Sequence, residues 1–447
     1  MTRSQKSVRR AGIRAYNVGF GDCVLLWMDY DDGIRRAILI DFGSTELPGD
    51  FPKNHLDRVA EDIRKVVCNR TENPDPSITD GRLQMVVATH RHADHISGFG
   101  RARAAAIIRD LGPRKVVAPW TENPRLPTDA TAPVGHKRLV STIDNMQSFA
   151  AGVRTEAIKL DRLQRFPDGV GERLRFLGEK NIANERAVRC LQDLAEAGTG
   201  MYVKYGDDLS DQRLLPGVTI KVLGPPTLAE APSLARQAQM NEQFWHLASN
   251  WGRAARGGDA TCEDLRPLFA STMTRVPQAA RWLTPRIDRA HADNMLSLLR
   301  TMDSSLNNTS VILQIRIGDS LLIFPGDAQI ENWSWILFHA NGLEADRLRE
   351  ELTRTNIYKV GHHGSLNATP KTMWNQFLHR GESDSTANRR LITLLSTLDG
   401  KHGSREDNTE VPRQTLVRAL KAESTLYSTE IQKSPWWTDI AVPVRCD

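Results

Sequence analysis

Met85-Val86-Val87-Ala88-Thr89-His90-Arg91-His92-Ala93-Asp94-His95 is the stretch from which the rest of this chain is read. Its first four residues form an apolar run, the signature of a buried strand. Three imidazoles and one carboxylate follow directly. Nitrogen and carboxylate ligands at that density suit Zn²⁺ or a similar divalent ion. His90 and His92 are two apart, so at the mouth of a strand both can turn toward one ion. Asp94 and His95 come next on the turn and can hold a second. A solvated histidine cluster is the plainer reading, but such clusters rarely follow a buried strand.

Working outward, the neighbouring segments read as alternating strands and helices. Ile13 to Val18 is a strand, Gly19-Phe20-Gly21-Asp22 a turn, and Cys23 to Met28 the returning strand, with Ala37 to Asp41 a third. Leu56 to Val67 has helical spacing, Gly98 to Leu111 reads as a helix, and Lys115 to Ala118 as a strand. Strand, site, helix, strand is α/β order. Val218 to Leu223 is a strand stopped by Pro225-Pro226, and the pattern of residues 227–300 is helical, an insertion within a single domain spanning 1–447. Strands resume at Ser310 to Arg316, Leu321 to Phe324, Ile357 to Val360 and Leu391 to Leu395. Gly381 to Arg390 and Gly400 to Thr409 are polar loops, and no sequence repeat is evident.

Four more segments place metal-competent groups just past the carboxyl end of an expected strand, where open α/β sheets carry their sites. They are Asp41, Asp327, the run His362-His363-Gly364-Ser365, and His402. An Asp before Gly is commonly a turn former, which is the competing reading for Asp41 and Asp327. Ligands must come from distant segments in such a site, because a sheet gathers strand ends that are far apart in sequence.

Composition sets the outer bounds. The chain has 447 residues, 40% hydrophobic and 25% charged, ordinary values for a globular protein. No window reaches the roughly 18 apolar residues of a membrane span. The N-terminal residues are basic but lack the apolar core of a signal peptide, so a cytoplasmic location is expected. Five scattered cysteines without a CxxC argue against a disulfide framework and a thiolate metal site. Net charge is +5, compatible with an anionic substrate such as nucleic acid.

These pieces together give the chain a resemblance. Asn17-Val18-Gly19-Phe20-Gly21-Asp22, Leu39-Ile40-Asp41-Phe42-Gly43, Thr89 to His95, Asn308-Thr309-Ser310, Phe324-Pro325-Gly326-Asp327 and Lys359 to Ser365 occur in the order of the metallo-β-lactamase-fold hydrolases. More narrowly, they are similar to the soluble hydrolase domain of DNA-uptake competence proteins and to phosphorylcholine esterases. The resemblance implies an α/β fold, an αββα sandwich with two divalent ions, Zn²⁺ or Mn²⁺, at one edge. It assigns His90 and His92 to the first metal, Asp94, His95 and His362 to the second, and Asp327 to a bridge between them. Asp41 would orient ligands rather than coordinate. The chain departs from the pattern at Asn308, where many members carry a histidine. Water, His402, His246 or His291 would then complete the first site. Asn17 and Phe20 stand where the competence subgroup carries Asp and Gln, and the insertion at 227–300 is additional.

The expected chemistry is attack by a metal-activated water, with Asp94 and Asp327 partly neutralising the cations. Lys401, His402 and His363 are candidates to serve the leaving oxygen. Ser365 either donates to a phosphate oxygen or caps the following helix. A phosphodiesterase acting on nucleic acid is the first expectation. Arg101, Arg103 and Arg109, with Trp245, Trp251, Arg253 and further Arg and Trp of the insertion, would contact it. The alternatives are a hydrolase of small phosphoesters, thioesters or lactones, and an effector that docks a partner protein through its insertion.

Overall fold

The computed structural model describes residues 6–123, 184–227, 230–231, 306–365, 369–381, 390–400 and 410–444, and the backbone of 130–132 and 136–137. The chain divides into two compact units, one made of residues 1–126, 184–227 and 306–447, the other of 127–183 and 228–305. Of the second unit, two short strands are described, pairing Ala130 with Lys137 and Ala132 with His136. The insertion expected at 227–300 lies almost wholly outside the described residues, as do Lys401, His402, His246 and His291.

The first unit is mixed α/β and built on two sheets. In chain order the strands of the first are β1 (Val8–Tyr16), β2 (Cys23–Tyr30), β3 (Ile34–Phe42), β4 (Asp80–Val87), β5 (Lys115–Pro119), β8 (Thr199–Val203) and β15 (Trp437–Val442). The second sheet holds β9 (Val218–Gly224), β10 (Ile312–Ile317), β11 (Ser320–Phe324), β12 (Ile357–Lys359), β13 (Ile392–Leu395) and β14 (Thr425–Ser428); β6 and β7 are the short pair of the second unit. The spatial orders are β15-β1-β2-β3-β4-β5-β8 and β14-β13-β12-β11-β10-β9. Each sheet opens with three antiparallel strands, β1-β2-β3 or β9-β10-β11. Each then continues with three parallel ones, β4-β5-β8 or β12-β13-β14. The sequence shows no repeat, yet the two sheets follow one plan.

Period-two alternation sorts the strand residues between layers. Val24, Leu26, Ile38, Ile40, Met85 and Val87 pack with Ile220, Val222, Leu313, Ile315, Leu322 and Phe324 in one fully buried cluster, so the sheets meet face to face. The alternate residues Leu25, Leu39 and Val86 join a second cluster with the helices α1 (His55–Val67), α3 (Ala102–Asp110) and α4 (Glu185–Ala197) on the outer face. On the far side of the second sheet Gln314 donates to Glu351 of α6 (Leu343–Thr353) at 2.9 Å, and Tyr358 packs on Phe377 at the end of α7 (Lys371–Gln376). Burying each Leu, Ile or Val of these layers is worth about 1.5–3 kcal/mol.

Most expected elements are present, with extended bounds. The helix expected from Gly98 to Leu111 is broken: residues Ser97–Gly100 form a tight 3₁₀ turn, and Arg101 is extended before α3 begins. Among the described residues no helix is long and apolar enough to cross a membrane.

Candidate metal centre

The parallel strands deliver the site. β4 ends at Val87, and the chain then runs through Thr89 and His90 into the single turn α2 (Ala93–Ile96), which carries Asp94 and His95. β12 ends at Lys359 and passes straight into His362 and His363. β3 ends at Asp41-Phe42, and β11 leads into Asp327. Backbone strain gathers here. Among the described residues only five non-glycines take a positive φ, and three of them are Asp41 (54°), His362 (42°) and His363 (52°). Asp, Asn and His tolerate that region best, and such strain concentrates at functional sites. Gly43 lets the loop after β3 lie directly on the histidine turn, since a Cβ there would stand 2.5 Å from the Ala93 carbonyl oxygen.

Four buried side chains converge: Asp22, His95, Asp327 and His363 each offer one ligand atom, all within 4.8 Å of one another. These residues could bind a metal ion. His95 Nε2 lies 3.1 Å from Asp327 Oδ1. These two atoms form an ion pair and neither has another hydrogen-bond partner, while Asp22 Oδ1 and Asp94 Oδ1 are buried and unpartnered. Buried polar atoms are normally satisfied. A tetrahedral ion places neighbouring ligand atoms about 3.3 Å apart, so the spacing of the His95–Asp327 pair suits coordination.

The other contacts orient these groups. Asp41 accepts from the Thr89 amide at 2.7 Å, the Thr89 hydroxyl at 2.8 Å and His95 Nδ1 at 2.7 Å. Its bond to Nδ1 turns Nε2 of His95 inward, the carboxylate–histidine arrangement found behind metal ligands. His363 Nδ1 donates to the Ser396 carbonyl at 3.1 Å, which aims its Nε2 at Asp94 Oδ2, also 3.1 Å away. His90 Nε2 is 3.0 Å from His92 Nδ1, and the His90 ring lies 4.2 Å from that of His95, centroid to centroid.

Charge explains the protonation pattern. Burial opposes charge on His95, but Asp327, Asp41 and Asp94 outweigh it and hold its pKa well above the usual value. His363 is likewise raised, against its burial, by Asp327 and Asp94. Burial also opposes ionisation of Asp94 and Asp327, yet the neighbouring histidines pull both carboxyls below their ordinary range. Asp41 goes the other way, raised chiefly by burial. His90 is pushed far down by burial and by the charges of His95 and His92, and so offers a neutral imidazole.

Several expected residues take different places from those the resemblance assigned. His363, expected to serve the leaving oxygen, sits in the buried cluster. His362, expected as the ligand, is one-quarter exposed and 3.9 Å from Asp327. The Ser365 hydroxyl lies 2.9 Å from His362 Nδ1. Asn308 accepts from Asn332 at 3.1 Å, outside the cluster, while its neighbour Asn307 lies 3.4 Å from His362 Nε2. Arg101, Arg103 and Arg109 stand beside acids, Asp57, Glu61 and Asp193, at 3.5, 3.2 and 4.0 Å. Two residues of the site went unread in the sequence. Asp22 sits in the Gly19–Asp22 turn, and Lys359, almost fully buried, forms an ion pair with it.

No protein-family model matches the sequence, and no curated protein does.

Proposed function

We propose that the protein is a metal-dependent hydrolase of the metallo-β-lactamase type, with a phosphodiester as its substrate class. The observation that carries this is the set of buried ligand atoms that face one another, Asp22 Oδ1 and Asp94 Oδ1 without a hydrogen-bond partner and Asp327 Oδ1 and His95 Nε2 at 3.1 Å. Face-to-face sheets with helices on both outer faces support the αββα sandwich the resemblance implies. The donor set is all nitrogen and oxygen, which suits Zn²⁺ or Mn²⁺. Asp22, Asp94, His95, Asp327 and His363 would hold the metal, with His90 and His92 beside them for a second ion. Bound there, it would supply Lewis acidity and an activated water.

The chain's own residues have separate tasks. Asp41 fixes the tautomer of His95 and keeps Nε2 facing Asp327. The Ser396 carbonyl does the same for His363. Lys359 balances one of four carboxylates gathered in a small buried volume, which lowers the cost of bringing them together. His362, the member that meets solvent, is placed to pass a proton at Nε2 while Ser365 holds Nδ1. A phosphodiester is favoured by the resemblance of the Thr89–His95 and His-His-Gly-Ser runs to competence proteins, and by the net charge of +5.

The test is a turnover panel on purified protein with added Mn²⁺ or Zn²⁺, comparing DNA, RNA, bis-p-nitrophenyl phosphate, a thioester and a lactone. Asp94→Ala is the blank. Metal-dependent cleavage of the phosphodiesters is expected. Turnover of the thioester or lactone alone would replace the substrate class, and full turnover by Asp94→Ala would overturn the mechanism.

A further inference from the structure

A cleft of about 1010 Å³ runs between one stripe of α1 and the edge strand β15. It shares no residue with the metal cluster. His55, Arg58, Asp62 and Lys65 line it from the helix. Their spacing, three, four and three residues apart, puts all four on one helical face. The opposite face of α1, with Leu56, Val59, Ile63 and Val66, is in the core; on the stripe itself Arg58 and Lys65 are exposed while His55 and Asp62 are buried. Across the cleft stand Trp436 and Trp437, with Arg70 and Lys433 at its rim.

Two features mark the cleft as a recognition surface. The first is charge. Arg14 is paired with Asp62 and Asp439, and Lys433 with Asp50, but Arg58, Lys65 and Arg70 have no acidic partner among the described residues. Arg58 and Lys65 are seven residues apart, about 10.5 Å along the helix. That span exceeds a single phosphate. The second is a continuous aromatic wall. Phe51 packs on His55 at 4.4 Å, His55 on Trp436 at 5.0 Å, and Trp436 on Trp437 at 4.8 Å, centroid to centroid. The Arg58 guanidinium stands over Trp436 at 5.5 Å. His55 is fully buried in that wall, and its Nδ1 has no hydrogen-bond partner.

We propose that this cleft binds a single-stranded polynucleotide, with backbone phosphates on Arg58, Lys65 and Arg70 and bases stacked along Trp436. Unpaired cations beside aromatic faces are the general means of holding single strands without sequence preference. The volume lies at the top of the range for small-molecule pockets, about 300–1,000 Å³, which favours an extended ligand over a mononucleotide. The inference goes beyond the reading of the metal centre and stands without it.

The experiment titrates full-length protein into fluorescein-labelled oligo(dT) of 20 nucleotides, read by anisotropy, in EDTA so that no metal-dependent cleavage intervenes. Duplex DNA of equal length and a polyphosphate competitor run beside it. Oligo(dT) is expected to bind more tightly than the duplex. The double variant Arg58→Glu/Lys65→Glu, both exposed positions, should bind at least tenfold more weakly, with a salt slope flatter by about 1.4. Trp436→Leu should lose about tenfold for oligo(dT) while polyphosphate binding is unchanged. Zn²⁺ uptake by the double variant should equal that of the wild type, which separates the cleft from the metal centre. No binding by the wild type, or equal binding by the charge-reversed variant, would overturn the inference. So would a duplex bound as tightly as the single strand.

Discussion

The two sheets follow the same plan, and their corresponding strand ends have been put to different uses. The last antiparallel strand of each delivers an aspartate, Asp41 at the end of β3 and Asp327 just after β11. The next strand of each leads into histidines, His90 to His95 after β4 and His362-His363 after β12. Yet Asp41 is saturated by Thr89 and His95 Nδ1, whereas Oδ1 of Asp327 is buried and meets the inward nitrogen of His95 at 3.1 Å as an ion pair. Burial raises the Asp41 pKa, while His95, His362 and His363 pull that of Asp327 down against its burial. The lesson is that topology delivers a carboxylate to the site, and its neighbours decide whether it orients a ligand or is one.

The comparison is most easily broken at these two aspartates. Asp327→Ala should take turnover on bis-p-nitrophenyl phosphate to the uncatalysed background, because it removes the ligand whose oxygen faces His95. Asp41→Asn should be milder, about 10- to 100-fold in metal affinity measured by competition with a chelator, the usual cost of losing a partner behind a metal-binding histidine. Equal losses from both would erase the distinction between them.

Protonation sharpens the contrast further. His95 and His363 are raised by the carboxylates around them, so both keep their protons to higher pH than a free imidazole, protons that a bound metal would displace. Metal affinity should rise with pH, by up to about tenfold per unit for each proton released. Calorimetry in buffers of different ionisation enthalpy reads that release directly. In metal-stripped protein the same shifts set stability. The histidines' contribution is complete below about pH 6.5 and is lost as pH rises through their higher folded values. That of Asp94 and Asp327 is complete above about pH 4 and is lost as pH falls through their depressed values. Asp41 opposes these gains above its unfolded pKa. His90, held neutral by burial, withdraws stability as pH falls below about 6.5, so the melting temperature of stripped protein should be highest near pH 6.5 and should fall above it as His95 and His363 lose their protons.

The smallest expected effect is at the solvent side. Ser365→Ala removes one hydrogen bond to His362, worth about 1 kcal/mol, so kcat should drop about fivefold with little change in metal content. A loss of metal on this substitution would place His362 among the ligands.

The strand ends were legible in the sequence because apolar runs such as Met85 to Ala88 and Leu321 to Phe324 stop abruptly at groups that chelate metals. Asp22 was not, because an Asp after Gly-Phe-Gly reads first as a turn former. Lys359 was not, because a lysine in a short strand reads as solvent-facing, and its partner is 337 residues away. Which of His362 and His363 faces inward depends on two successive positive-φ residues, a local twist that spacing does not encode. The choice between Asn307 and Asn308 is a register of one residue, equally invisible. The edge strand β15 pairs with β1 across almost the whole chain, and the cleft it forms with α1 exists only after that pairing.

The central claim is that the buried cluster holds a divalent ion. Native mass spectrometry of the full chain, stripped with EDTA and then titrated with Zn²⁺ or Mn²⁺, tests it most directly, with Asp327→Ala measured alongside. The account predicts at least one ion per chain in the wild type and its loss in the variant. A wild-type chain that takes up no metal, or a variant that takes up the same amount, would contradict it.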